Sequence, residues 1–318
     1  MIRRFAVTGF LSLVAAAGFA ADKTMVFGVV AKSNNNPVFQ AAKTGAEDEA
    51  KKKTAEGKAT VQIDWRTPNE EDPQKQADAI EQLVNNGAAG IAVSASDANK
   101  LTDAINKAVD SGIPVTMFDS DAPKSKRFAI FGTDDIDCGH KTMSELAKVM
   151  NNKGVVAILA GNQNAPNLQK RVQGVREEAK KYPDIKILDA YYHKETPQDA
   201  AAKVEQVMQA HPEITGWAMI GGWPLFTDNA LKFAPGTVKV VAVDALPAQL
   251  GYLRSGHVQV LLAQQVYEWG TTSVDLLYDK VLNGKTPADA FVKGELIPIT
   301  KENVDEFAKN WEKWLPKR

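Results

Sequence analysis

The stretch Val26-Phe-Gly-Val-Val-Ala-Lys-Ser-Asn-Asn-Asn-Pro-Val-Phe39 decides the fold. Val26 to Ala31 is an unbroken run of apolar and small residues, as a strand covered on both faces requires. Lys32 to Asn36 is a polar loop. Pro37 then stands where a helix opens, because a first helical residue needs no N–H of its own. Strand, polar loop and helix in that order form half of a βαβ unit, and its loop lies at the carboxyl end of the strand, where α/β sheets bind ligands.

Outward from this point the pattern repeats. Apolar runs predict strands at Met25–Ala31, Thr60–Trp65, Gly90–Ser94, Pro114–Phe118 and Phe128–Phe131. A second series follows at Val155–Gly161, Ile185–Tyr191, Gly216–Ile220, Val238–Val243 and Val258–Gln264. Helical segments alternate with them, among them Pro73–Asn86, Lys100–Ser111, Lys141–Asn151, Asn167–Lys181 and Pro197–Ala210, the last opened by the cap signal Thr196-Pro197. The tail Glu302–Trp314 reads as one helix with Phe307, Trp311 and Trp314 on a core-facing stripe. The chain of 318 residues suits two domains, each with its own core.

Upstream, Met1–Ala20 has the features of a cleavable export signal: Arg3 and Arg4, the apolar stretch Phe5–Phe19, and the small residues Gly18 and Ala20. The expected compartment is the periplasm. Removing Arg3 and Arg4 from 38 basic residues leaves 36 against 39 acidic, a net charge of −3. That balance excludes a nucleic-acid stripe and a polybasic membrane surface. The single Cys138 cannot form an internal disulfide. No phosphate-loop or dinucleotide motif follows a strand, the four histidines lack metal-ligand spacing, and no cofactor or metal is expected.

Polar residues at strand ends are the candidates for chemistry: Lys32 to Asn36, Asp119-Ser120-Asp121, Asn162 to Asn164, Trp223 after Gly221-Gly222, Asp244, and Gln264. Carboxylates that accept two hydroxyls, amides that donate and accept, and aromatic rings suit a neutral polyhydroxylated ligand. Each also has a plain structural use. Asn36 can cap the next helix, Asp119 and Asp244 can do the same, and Arg171 by position is a surface charge. Paired carboxylates such as Asp119 and Asp121 could serve a glycosidase.

Over essentially its whole length beyond the signal, the chain resembles the periplasmic sugar-binding proteins of ABC transporters, of the ribose-binding-like type. The matching segments are Val29–Phe39, Ile113–Asp121, Gly132–Asp135, Val240–Asp244 and Ala263-Gln264. The resemblance implies two Rossmann-like α/β lobes with parallel sheets, joined by a three-segment hinge. It places the N-lobe at 22–132 plus 265–295 and the C-lobe at 133–264 plus 296–318.

The family's ligand contacts fall on Asn36, Phe39, Asp119, Arg171, Asp244 and Gln264. Ser120 stands where ribose binders carry arginine, and Trp223 where they carry asparagine. Lys32 is foreign to ribose binders and similar to rhamnose-type and furanosyl-autoinducer binders. The implied function is capture of a sugar or polyol and its delivery, by a monomer, to an ABC import permease. A chemoreceptor-facing or quorum-signal binder of the same fold, and an exported carbohydrate-active enzyme, are the alternatives.

Overall fold

The computed structural model describes residues 24–315. The expected signal at Met1–Ala20 lies outside them. In chain order the first half holds β1 (Thr24–Val30), α1 (Val38–Ala55), β2 (Thr60–Trp65), α2 (Pro73–Asn85), β3 (Gly90–Val93), α3 (Ala98–Asp110), β4 (Val115–Phe118) and β5 (Ala129–Gly132). Next come α4 (Asp135–Val149), β6 (Gly154–Gly161), α5 (Pro166–Ala179), β7 (Ile185–Tyr192), α6 (Pro197–Ala210), β8 (Gly216–Met219) and β9 (Lys239–Val243). The chain ends with α7 (Pro247–Ser255), β10 (Val260–Gln264), α8 (Val266–Asn283), β11 (Phe291–Lys293), β12 (Leu296–Ile299), α9 (Val304–Ala308) and α10 (Trp311–Trp314).

Two six-stranded sheets result, ordered β11-β5-β4-β3-β1-β2 and β12-β10-β9-β8-β6-β7. All pairings are parallel except β10 with β12. The two-lobed α/β architecture expected from the strand pattern is therefore present. Each sheet has one strand more than the expected segments: β11 is a three-residue edge strand with two exposed residues, and the apolar run of β12, Leu296–Ile299, is broken by Pro298.

The continuous apolar character of β1 has a direct cause. Phe27, Val29 and Ala31 enter one core cluster while Val30 enters another, so both faces of the strand are covered. In β6, Ala157 and Leu159 pack on one side and Val156, Ile158 and Ala160 on the other. Each buried valine, leucine, isoleucine or phenylalanine contributes about 1.5–3 kcal/mol of burial. Gly28 is small because Leu83 of α2 needs its space: a Cβ there would lie 2.4 Å from Leu83 Cδ1.

Helix starts follow their caps. Asp72 accepts from the Gln74 and Lys75 N–H groups, and the Thr196 hydroxyl accepts from Asp199 N–H at 3.1 Å, as the Thr-Pro signal predicts. Helix α4 begins at Asp135, six residues before the expected Lys141, because the Asp134 side chain accepts from Asp137 N–H. The expected single tail helix is instead two short ones, α9 and α10, with Lys309 and Asn310 between them. Its aromatic stripe is nonetheless packed. Trp311 donates its indole N–H to the Ala245 carbonyl at 2.9 Å, and Trp314 stacks on Tyr267 of α8 at 6.0 Å. The tail thus ties a residue next to the second sheet to a helix that packs on the first.

The chain passes between the sheets three times, at Gly132–Asp135, Gln264–Val266 and Lys293–Leu296. The passages are stitched together: Gly294 N–H donates to the Gly132 carbonyl at 2.8 Å, and Glu295 N–H to Gln265 Oε1 at 2.7 Å.

Candidate functional site

The carboxyl ends of the strands of both sheets face one another across a cleft. Asp119 ends β4 and Asp244 ends β9, each in the left-handed region with φ of 56° and 75°. Such a turn swings a short polar side chain off the strand line and costs aspartate less than most residues. Eight of the nine expected residues, Lys32, Asn36, Phe39, Asp119, Arg171, Trp223, Asp244 and Gln264, line one small inner cavity of about 20 Å³.

Ser120 does not. It is fully buried beside the cavity, its carbonyl accepts from Ala95 N–H, and its hydroxyl has no partner. The left-handed turn at Asp119 aims that side chain, and not its neighbour's, at the cavity. Asp121 also turns away, held by two 2.7 Å hydrogen bonds from Arg127, so the carboxylate pair needed by a glycosidase does not face the cavity.

On the second-sheet side, Arg171 is buried and far from the surface charge its helix suggests. Its Nε donates to Asp135 at 2.9 Å, one Nη to the Ile220 carbonyl at 3.1 Å, and the other to Gln264 Oε1 at 2.6 Å. Gln264 in turn donates to Asp244 at 2.7 Å. Burial pushes Asp135 up to about 7, against the pull of the Arg171 guanidinium. It pushes Asp244 up to about 6, opposed by Gln264 and Arg171. Helix α5 can bring Arg171 this deep because two glycines meet at the α4–α5 crossing. A Cβ on Gly139 would stand 2.2 Å from the Arg171 carbonyl, and one on Gly174 equally close to the Ile136 carbonyl.

On the first-sheet side, Asp119 accepts from the Ser94 hydroxyl at 2.8 Å. Asn36 accepts weakly from Val38 N–H at 3.4 Å and lines the cavity; it does not cap α1, whose N-cap is Pro37 with no side-chain cap. Phe39 packs against Trp269 and Phe118. Trp223, in a short 3₁₀ turn of the other lobe, is seated against Gly161 and Gly221, where any Cβ would strike its ring.

The two halves also meet directly. Asn167 donates to Asp119 at 3.0 Å and accepts from Lys32 Nζ at 3.4 Å. Lys32 stands 3.9 Å from Asp119 and 3.8 Å from Glu195. Asn162 donates to Glu71 at 2.9 Å. Burial works against the Lys32 ammonium, but Glu195, Asp119 and Glu71 outweigh it and hold its pKa above the ordinary lysine value. Burial, with the Glu195 charge nearby, pushes Glu71 up to about 8.

Asn167, Glu195, Glu71, Asp135 and Trp269 were not among the expected site residues. The two glutamates share a readable signal: each directly precedes a helix cap followed by proline, in Glu71-Asp72-Pro73 and Glu195-Thr196-Pro197. Among the described residues no cluster of potential ligands is arranged for a metal ion.

Two sheets, three stitched passages and a polar cavity at facing strand ends define a two-lobed receptor for a small molecule. A family model described as "Periplasmic binding protein domain" matches residues 27–286, and the chain belongs to that family. It is 28% identical over 257 residues to a xylitol-binding protein of Mycolicibacterium smegmatis, covering 77% of this chain and 70% of that one. It is 27% identical over 300 residues to the D-allose-binding periplasmic protein of Escherichia coli, covering 90% and 93%. Among solved structures, an ABC transporter solute-binding protein from Burkholderia graminis in complex with D-arabinose superposes with a TM-score of 0.80. It has 28% identity and covers 89% of this chain and 97% of that one. Among the described residues no helix is long and apolar enough to cross a membrane.

Proposed function

We propose that this protein captures a sugar or polyol between its lobes in the periplasm and delivers it to an ABC import permease, without changing it chemically. The observation that carries the reading is the Asp244–Gln264–Arg171–Asp135 chain facing Asp119 and Lys32 across the cavity. Charged groups fixed by one another present acceptors and donors in set directions, which suits the hydroxyls of a polyhydroxylated molecule. Phe39 and Trp223, from opposite lobes, supply faces for C–H groups. The relatives named for xylitol and D-allose, and the neighbour holding D-arabinose, support the same ligand class.

At about 20 Å³ the inner cavity is contracted around cross-lobe side-chain contacts. A ligand enters when the lobes part by bending at the three passages, and its hydroxyls then replace the Asn167 and Lys32 contacts to Asp119. A thermal-shift panel of pentoses, hexoses, deoxysugars and polyols tests the reading. A ligand at 100 times its dissociation constant adds about 2.7 kcal/mol of stability. A panel in which no member moves the melting curve rejects it, and so does recovery of a chemically altered ligand after incubation.

A further inference from the structure

Beyond the inner cavity the cleft widens into an outer compartment of about 600 Å³. Its walls are the loops after β1, β2 and β3 on one lobe and after β6 and β7 on the other, so it too lies at the carboxyl ends of strands. Glu195 lines both spaces and is the wall between them. Its side chain is only 4% exposed.

Buried polar atoms without partners gather here. Of eight such atoms among the described residues, Glu71 Oε1, His193 Nε2 and Glu195 Oε1 belong to residues lining this compartment. A fourth, Gln169 Nε2, is on the side chain that accepts from Tyr192 of the same wall. Buried polar groups are normally paired, so a concentration of unpaired ones asks for an incoming partner. The inner cavity does not account for His193 or Glu71, which do not line it.

The chemistry favours hydroxyls over other groups. Burial lowers the His193 pKa, and its Nδ1 donates to the Lys194 carbonyl, so the neutral imidazole presents Nε2 as an acceptor for a hydroxyl. Glu71, from one lobe, carries a proton below about 8 and can donate as well as accept, and Glu195, from the other lobe, accepts, so the two address both sides of one entering group. Lys32 already answers the negative charge of Glu195, which removes the need for a cationic ligand. Among its lining residues Tyr192 and His193 carry the aromatic rings, whose faces suit the C–H groups of a sugar unit.

We propose that the outer compartment is a second hydroxyl-binding subsite, so that the protein takes ligands of two linked polyhydroxylated units. One unit occupies the inner cavity, and the other lies between Glu71, His193 and Glu195. This rests on sugar capture in the inner cavity and extends it to a larger substrate class.

Titration calorimetry with L-arabinose, D-xylose, D-galactose, D-ribose, D-allose and xylitol, against arabinobiose, xylobiose and galactosylglycerol, tests the extension. A two-unit ligand is expected to bind at least about tenfold tighter than its best single unit. In Glu71→Ala and His193→Ala that ratio falls toward one. In Asp119→Ala both affinities fall together and the ratio stays. Melting curves confirm that each variant is folded, and Glu71→Gln replaces any that is not. Two-unit ligands that bind no tighter than single ones, or a ratio indifferent to Glu71 and His193, overturn the second subsite while leaving sugar capture intact. Binding of neither kind overturns both.

Discussion

The Asp119 carboxylate and the Asn167 carboxamide meet at 3.0 Å across the two lobes, one from the end of β4 and the other from the first turn of α5. Asp119 also receives the Ser94 hydroxyl and stands beside Lys32, so it is the point where the two halves of the site join.

Asp119→Ala is therefore expected to lower sugar affinity at least about tenfold, equivalent to ~1.4 kcal/mol. Calorimetric titration against the tightest sugar of the panel reads this directly. Unchanged binding would remove Asp119 from the site.

Asp135→Asn acts through stability. Arg171 is buried and relies on Asp135 for its charge balance. Breaking a buried pair by removing one partner typically costs about 3–5 kcal/mol. Urea denaturation should show a loss of that order, and a loss below about 1 kcal/mol, the range of an exposed pair, would mean Arg171 is balanced by other groups.

Glu71 makes the closed arrangement pH-dependent. An exposed glutamate titrates near 4.5, and burial between the lobes, facing Glu195, Lys32, Asp119 and Asn162, moves Glu71 up to about 8. A carboxylate with a raised pKa takes up a proton on closing. Its closed form is thus favoured below 4.5 and loses that advantage as pH rises through about 8. Ligand affinity should be weaker at about pH 9 than at about pH 6, and Glu71→Gln should flatten the profile over that interval. A Glu71→Gln profile as steep as that of the native protein would assign the dependence to another group.

Two glycine substitutions should diverge. Gly139→Ala pushes a methyl against the Arg171 carbonyl and must shift α5, for about 1–3 kcal/mol of lost stability and weaker binding. Gly251→Ala, in exposed α7 with nothing near its Cβ, should instead stabilise by about 0.5–1 kcal/mol. Thermal melts of both variants give the comparison, and equal effects would reject the role assigned to the α4–α5 crossing.

The inner strands were legible because they are covered on both faces, which forces an apolar run; β2 and β7, at sheet edges, are only partly covered. Strands β11 and β12 were not, since β11 is a three-residue edge strand and the proline in Leu296-Ile-Pro-Ile299 argues against a strand there. Eight of the nine expected site residues converge because they stand at strand ends or on the helix that follows. Ser120 failed for a reason a linear pattern hides: a left-handed φ at Asp119 decides which of two adjacent side chains reaches the cavity. Asn167, Glu71 and Glu195 were missed because a residue beside a helix cap reads as capping or loop. Their partners across the cleft lie in the opposite lobe, far away in sequence.

The three stitched passages carry one more consequence. Strands joined side by side along one edge resist sliding and twisting far more than bending, much as pages resist everything but turning about a spine. The lobes are left with essentially one path apart and one path together. Whatever a bound molecule does to any wall of the cleft is then expressed as the same single displacement of the outer surface, so anything that reads the state of the cleft from outside needs to recognise only one shape.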